Sequence, residues 1–486
     1  MASEIRVNKI NSRTGVGTIT LSPTGVDFTG IATVATLKAT TGIVTTLTAT
    51  TGIVTTLTVD TARTTTGIVT TLTADTSRIT TGIVTTLTAD TAKVGAAVTI
   101  SESGMEVTGV TTVTSSINIG SATTISSSSL EVNGVQYPTA GALSNRYLII
   151  NGAMQVAQRG DDFQPPASGD YTIDRFQAYQ SSADAYDVQR VTDTPSGQGF
   201  KNSLKVTSNA ATSIASGGYY YLGQRIEGNN WVQMGYGASG AKTCTVSFWV
   251  KSSLTGTHSG IFKNSAQNRS LAFEYTISSA NTWEYKQITI AGDTSGTWLT
   301  GNGTGVWVYF SMGVGTTFAT GTADTWQATN LVGTTGSVDL VATSGATWFL
   351  TGLQVEHGDK ATPFEFISRS EELARCHRYF RRFCEGANYG AAPGSGTGTS
   401  STVAFHNVVL STEMRTTPTL ETFSNLRNDD VTTGTSVTAL SLVTSMSTNE
   451  QVFLQATSAS GLTAYRPYHL LANNTGSAKL DLSAEL

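Results

Sequence analysis

Residues 243–253 read TCTVSFWVKSS, a short alternating strand. Three later stretches read the same way: WEYKQITIAG at 283–292, VWVYFSMGVG at 306–315 and GATWFLTGLQVEHG at 345–358. Turn residues recur at short intervals between them, as in a β-sandwich. All seven tryptophans fall between Trp231 and Trp348, so this part of the chain carries its own aromatic core. Trp249 and Trp307 sit inside alternating strands and are expected in that core. The pattern begins near Tyr137 and runs through YLIINGAMQVAQRG at 147–160.

Working toward the N-terminus, the composition changes abruptly. There is no aromatic residue between Phe28 and Tyr137. Instead, TGIVTTLTVDTARTT at 51–65 is followed by TGIVTTLTADTSRIT at 66–80 and TGIVTTLTADTAKVG at 81–95. A shortened copy, TGIVTTLTAT, precedes them at 41–50. Ile68, Thr70, Leu72 and Ala74 fall on one face of an extended strand, and Val69, Thr71 and Thr73 on the other. Threonine, valine and isoleucine favour extended backbone, and a glycine in every copy weakens a helix. The spacing of Ile68 and Leu72 also suits a threonine-rich coiled coil, which remains the alternative.

A second repeat brackets the first: ITLSPTGVDFTGIATV at 19–34 matches VTISESGMEVTGVTTV at 98–113, with a weaker copy, TISSSSLEVNGV, at 124–135. Each predicts a strand, a polar turn and a second strand. A single repeat offers too few aliphatic side chains to bury a core. Several copies of the chain wound around one axis would share one, which predicts an intertwined fibre shaft. Each full repeat also pairs an acid with a base three residues on: Asp60 with Arg63, Asp75 with Arg78, Asp90 with Lys93. Charges that met a neighbouring chain in this way would set register between near-identical strands.

The bulk composition narrows the function. Charged residues are 13% of 486, and the net charge of −5 gives no electrostatic reason to expect a nucleic-acid partner. Cys244, Cys376 and Cys384 are too few for a disulfide framework and read as buried thiols. MASEIRVNKINSR has no apolar core of signal-peptide type, and no apolar run approaches a membrane span.

Toward the C-terminus one helix is expected. Ser368 stands three before Glu371 as a capping box, with Glu372 in the first turn. Leu373, Cys376, Phe380 and Phe383 recur at helical spacing, Arg378, Arg381 and Arg382 suit the C-terminal dipole, and Gly386 stops the helix. After APGSGTGTSS at 392–401, strands resume with TVAFHNVVL at 402–410 and EQVFLQAT at 450–457.

The stretch from Asn145 to Phe383 resembles the distal region of bacteriophage tail fibres. The matching phrases are NRYLIINGAMQVAQRG, YTIDRF, TVSFWVKSS, TWEYKQITIAGDTSGTW and LQVEHGDKATPFEFISRSEELARCHRYF. The last resembles the end of that family's jelly-roll domain, and SFWVKSS is similar to a strand of jelly-roll carbohydrate-binding modules. MRTTPTL and NNTGSAKLDLSAEL resemble the tip domain that often follows. IRVNKINSRTGVGTITLSPTGVDFTG resembles the virion-proximal start of fibres from marine cyanobacterial phages.

The resemblance implies an all-β homotrimer in four parts: a virion attachment segment at 1–30, a repetitive shaft at 31–136, a jelly-roll domain ending in a helix at 137–385, and a β tip at 386–486. It implies adsorption to a host-surface glycan or protein, with other virion tail proteins as partners of the N-terminal segment. The fibre would reside in the virion tail, be assembled in the host cytoplasm, and need no cofactor, nucleic acid or membrane insertion. A polysaccharide depolymerase of the same architecture and a purely structural head or neck fibre are the rival readings.

Sugar rings stack on aromatic side chains with hydrogen bonds around the edge. Among aromatics flanked by loop residues, Tyr220, Trp231 and Tyr236 are glycan-contact candidates in the jelly roll, and Tyr389, Tyr465 and Tyr468 in the tip. Core packing is the competing role for each. Asp161, Asp162, Asp170 and Asp174 are the carboxylates to weigh for paired glycosidase chemistry. A solvated turn for the first two, and pairing of Asp174 with Arg175 or a backbone cap, is the preferred reading. The five histidines are scattered singly, without metal-site spacing.

A shaft without a single-chain core predicts an obligate trimer. Light scattering on the full chain should give three times the 50.9 kDa chain mass, and a stable monomer would contradict it.

Overall fold

A computed structural model describes residues 147–392 and 394–486 in full, with the backbone of five short strands before them. The chain divides into two compact units, Met1–Ser121 and Ala122–Leu486. In the first, Thr18–Ser22 pairs antiparallel with Gly25–Thr29, and Ile10–Asn11 pairs with Thr18–Ser22. This is the hairpin expected within 19–34. The fifteen-residue repeats and the copy at 98–113 lie outside the described residues. In the second unit, Leu130–Val132 pairs forward with Val135–Tyr137, a partner not assigned from the repeat pattern. Asn133 and Gly134, a strong two-residue hairpin signal, separate the two strands in sequence.

Two antiparallel sheets follow. One runs Glu284–Ile290, Cys244–Ser252, Thr347–His357, Ser203–Ser208, Tyr186–Val191, Asp162–Phe163 from edge to edge. The other runs Ser270–Ile277, Gly256–Lys263, Thr304–Val314, Tyr219–Glu227, Phe176–Gln180. Most successive strands pass back and forth between the sheets, the connectivity of a jelly roll, while Tyr186–Val191 with Ser203–Ser208 and Gly256–Lys263 with Ser270–Ile277 form hairpins within one sheet. Alternate side chains of both sheets interdigitate. Val246, Phe248 and Val250 meet Phe273, Phe310 and Trp348 in one core.

Trp307 is buried in a core cluster as expected, whereas Trp249 is not. Trp249 is only half-buried, on the opposite face of its strand from Phe248. Trp307 is buried in a separate cluster with Tyr221, Tyr309 and Leu331, on the far face of the five-stranded sheet. The Arg225 guanidinium lies 3.9 Å from its ring centroid.

The helix Arg369–His377 begins as expected, with the Ser368 side chain accepting a hydrogen bond from the Glu371 amide. It ends sooner than the apolar spacing implies. Phe380–Phe383 is a strand, paired with Lys479–Ser483. Its backbone groups find partners across the ladder, and Arg378 and Arg382 reach Glu227 and Asp481 instead of the helix terminus. The tip is a closed six-stranded barrel, Gly394–Gly398, Val403–Val409, Gln451–Ser458, Gly434–Leu442, Leu426–Asp429 and Pro467–Ala472. A three-stranded sheet of Phe380–Phe383, Lys479–Ser483 and Thr419–Ser424 stands beside it. Cys244, Cys376 and Cys384 are buried and free.

Arginines hold the tip to the sandwich. Arg159 bridges Glu421 and Glu485, at 3.2 and 3.3 Å. Arg175 is fully buried between Glu485, the Arg225 carbonyl and the Tyr379 ring, 3.6 Å from the ring centroid. Arg415 donates to the carbonyls of Asn302, Ala484 and Glu485. Desolvation would raise the Glu227 carboxyl, but hydrogen bonds from Arg378 and Tyr379 hold it below its ordinary value.

Arg175→Met leaves Glu485 with one cation fewer in a dry junction. It should lower the unfolding free energy by roughly 3–5 kcal/mol, and adding Glu485→Gln should recover part of that. Denaturant titration followed by tryptophan fluorescence measures both, because every tryptophan lies in the sandwich. A loss under about 1 kcal/mol, the value of an exposed pair, would contradict this junction.

Candidate functional site

Burial of Val246, Phe248 and Val250 sends Ser247, Trp249 and Lys251 to the outer face of the six-stranded sheet. The neighbouring edge strand alternates too, with Tyr285, Gln287 and Thr289 exposed. Trp249 stands opposite Tyr285, and Ser247 opposite Gln287. The two rings lie 5.4 Å apart at 51°, and Tyr285 is 44% exposed. Exposed Tyr285 and Gln287 therefore stand beside half-buried Trp249 and buried Ser247 on one face of the sheet.

A wall rises beside them. Glu356 is buried and accepts from the Thr362 amide at 2.8 Å, the Thr362 hydroxyl at 2.7 Å and Gln354 Nε2 at 2.9 Å. Gln354 Oε1 in turn accepts from the Glu365 amide at 2.9 Å. These bonds fold the segment after His357 back over its own strand. Phe364 and Phe366 then pack with Phe200, with centroids 4.9–5.2 Å apart. A bulge makes room for Phe200. The register against Cys244–Ser252 shifts between Ser247 and Trp249, and Gly352 takes a left-handed φ of 61°. A Cβ built on Gly352 would lie 2.6 Å from Phe200 Cζ.

Between the Trp249–Tyr285 pair and the phenylalanine wall lies a cleft of about 480 Å³. Gln198, Ser247 and Gln287 supply polar groups to its lining. None of the lining residues is an aspartate or glutamate. One step along the strand, Lys251 pairs with Asp193, its Nζ 4.2 Å from the Phe349 ring centroid. Trp283 Nε1 also donates to Asp193, at 3.0 Å. Desolvation would raise the Asp193 carboxyl, and the bonds from Lys251 and Trp283 more than offset it, holding it below its ordinary value.

The six aromatics singled out from sequence are placed otherwise. Tyr220, Trp231 and Tyr468 are 2%, 1% and 2% exposed and offer no ring face to a ligand. Tyr220 belongs to a long strand, and the Trp231 ring packs edge-on to Tyr236 at 5.0 Å. Tyr236 is half-buried and also packs edge-on to Trp298 and Trp326, at 5.0 and 5.7 Å. Tyr389 and Tyr465 are exposed in the tip, at 53% and 91%. Flanking glycines misled here. A Cβ on Gly305 would meet Trp231 Cβ at 2.8 Å and Gly228 Cα at 2.9 Å, and one on Gly228 the Leu299 and Gly301 carbonyl oxygens at 2.5 and 2.7 Å, so these glycines serve close packing. The signal that finds Trp249 and Tyr285 is parity, because both are large aromatics on the polar side of an alternating strand.

The four aspartates are held by structural partners. Asp161 pairs with Arg190, Asp162 accepts from Gln164 and Gln189, and Asp170 accepts from the Ala167 amide. Asp174 is buried and accepts from the Gln158 backbone and side chain, leaving Arg175 to Glu485. Burial raises the Asp174 carboxyl above its ordinary value. Among the described residues, no group of three or more His, Cys, Asp or Glu is placed to hold a metal ion.

No family model matches the chain, and no curated protein matches it. Several solved structures are similar to parts of the chain. The enzymatically active domain of bacteriophage CBA120 tailspike protein 4 is 10% identical with a TM-score of 0.26, over 64% of this chain and 37% of that one. The chain thus spans little more than a third of that tailspike domain. TmCBM61 in complex with beta-1,4-galactotriose is 12% identical with a TM-score of 0.22, over 44% of this chain and 99% of that one. A family 11 carbohydrate-binding module from Clostridium thermocellum, in complex with a beta-1,3-1,4-mixed-linked tetrasaccharide, is 10% identical with a TM-score of 0.22. That match covers 41% of this chain and 97% of the module.

Gly352→Ala tests the wall. A non-glycine residue in this left-handed conformation costs roughly 1–2 kcal/mol. The new methyl should also push the Phe200 ring away, seen as a lower melting temperature and loss of the Phe200–Phe364 ring contact by NMR. An unchanged contact would contradict the role given to the bulge.

Proposed function

We propose that the chain binds a glycan, without cleaving it, in the cleft between Trp249–Tyr285 and the Phe200–Phe364–Phe366 wall. One observation carries the reading: Trp249 and the exposed Tyr285 line the cleft side by side, with the neutral side chains of Gln198 and Gln287 beside them. Pyranose rings offer flat apolar C–H faces bordered by hydroxyls, and this surface matches them in kind. The cleft's size falls within the range of small-ligand sites, about 300–1,000 Å³. The absence of carboxylates from its lining supports binding over hydrolysis, since glycosidases place two carboxyl groups across the scissile bond.

In this proposal the cleft serves a homotrimeric phage tail fibre that adsorbs to its host. The threonine-rich repeats and the NRYLIINGAMQVAQRG and LQVEHGDKATPFEFISRSEELARCHRYF phrases support it. Residues 1–30 would hold the fibre to other virion tail proteins. Three clefts per fibre, and several fibres per particle, would convert modest single-site affinity into firm attachment.

The test is a glycan array probed with the full chain, followed by calorimetry on the saccharides it retains. Trp249→Ala should weaken those saccharides roughly tenfold or more, about 1.4 kcal/mol, because it removes a stacking face at the centre of the site. The fold should survive, since Trp249 lies outside the core. An array with no retained saccharide would overturn the glycan reading, and new reducing ends released from a bound polysaccharide would overturn the non-enzymatic one.

A further inference from the structure

The phenylalanine wall has a second side. Phe200 and Phe366 also line an adjoining cavity of about 480 Å³ that contains Arg190, Lys201, Arg369 and Asn202. No aspartate or glutamate lines it. In a chain with only 29 basic residues, three of them converge on one hollow.

Their environments differ. Arg190 is anchored: Nε donates to Asp161 at 2.6 Å and Nη1 to the Gln155 carbonyl at 3.0 Å. Lys201 and Arg369 are exposed and have no hydrogen bond or ion pair among the described residues. Arg369 is also the first residue of the helix Arg369–His377. A cation there opposes the helix dipole, so helix stability does not explain it. Glu371, in the same first turn, pairs with Arg375 and not with Arg369.

We infer that this cavity takes an anionic substituent of the glycan whose ring occupies the neighbouring cleft, so that the preferred ligand is an acidic saccharide. The inference rests on the glycan reading above and adds a substrate class to it. A carboxylate, a sulfate and a phosphate share the required chemistry, since each accepts charge-assisted hydrogen bonds from guanidinium and ammonium donors. The shared wall sets the geometry. Phe200 and Phe366 contact both spaces, so one sugar unit can lie against Trp249 while the charged group of the same or the next unit reaches Lys201 and Arg369. Lys251, outside the cleft lining, is already neutralised by Asp193, so the charge preference falls to the adjoining cavity.

The experiment uses the full chain, Lys201→Ala/Arg369→Ala and Trp249→Ala. The probes are tetragalacturonate, its methyl ester, and sulfated and phosphorylated forms of a neutral tetrasaccharide retained on the array. Both substituted positions of the double variant are exposed, and its melting temperature confirms that it is folded. At about 50 mM salt at least one acidic probe should bind roughly tenfold more tightly than its neutral counterpart. Which anion gains identifies the source of the charge. The advantage should vanish in the double variant and shrink at about 0.5 M salt, where the charges are screened. Trp249→Ala should weaken acidic and neutral probes alike.

Equal binding of acidic and neutral members by the wild type, or an advantage that persists in the double variant, overturns the inference. Trp249-dependent binding of neutral saccharides would leave the glycan reading standing in that event. Failure of every saccharide to bind removes both.

Discussion

The site depends on which face of one strand enters the sandwich core. In Cys244–Ser252, Val246, Phe248 and Val250 enter the sandwich core, each contributing about 1.5–3 kcal/mol by leaving water. A slip of one residue would exchange them for Ser247, Trp249 and Lys251. That penalty fixes the register, and the register fixes Trp249 on the outside. Tyr285 follows because its strand pairs there, and Gly352 follows because the facing strand needs a left-handed residue where the bulge falls. The placement of the aromatic pair thus follows from core burial.

Charge is used differently at the tip junction and in the basic cavity. The chain is poor in charged residues, yet Arg159, Arg175, Arg382 and Arg415 are all engaged where the sandwich meets the tip. Buried pairs gain little net stability, but each penalises any arrangement that separates it. The junction therefore specifies how the tip docks more than it adds to the folding energy. Lys201 and Arg369 stand apart from this economy, exposed and without acids, and that contrast marks them as available to a ligand.

Much of the architecture was legible in the sequence. Alternation in 243–358 predicts the sandwich, Ser368 and Glu371 mark the start of the helix, and ITLSPTGVDFT marks a hairpin. What escaped depends on contacts between distant residues. Phe380 and Phe383 keep helical spacing, but a strand a hundred residues on captures their backbone. Trp249 is expected in the core because it sits inside an alternating strand, although its parity places it opposite Phe248. Glycine beside Tyr220 and Trp231 suggested open loops, where the structure uses glycine for close packing. The wall of the cleft was hidden in the ATPFEF phrase. Its folding back requires Glu356 and Gln354 to capture Thr362 and Glu365, and sequence spacing alone does not reveal that.

The most direct test of the central claim is a crystal structure of the full chain with a saccharide retained on the array. The account predicts a sugar ring packed against the Trp249 or Tyr285 face, within about 4–4.5 Å, the range of apolar contact. A saccharide bound elsewhere, with both rings still open to solvent, would contradict it.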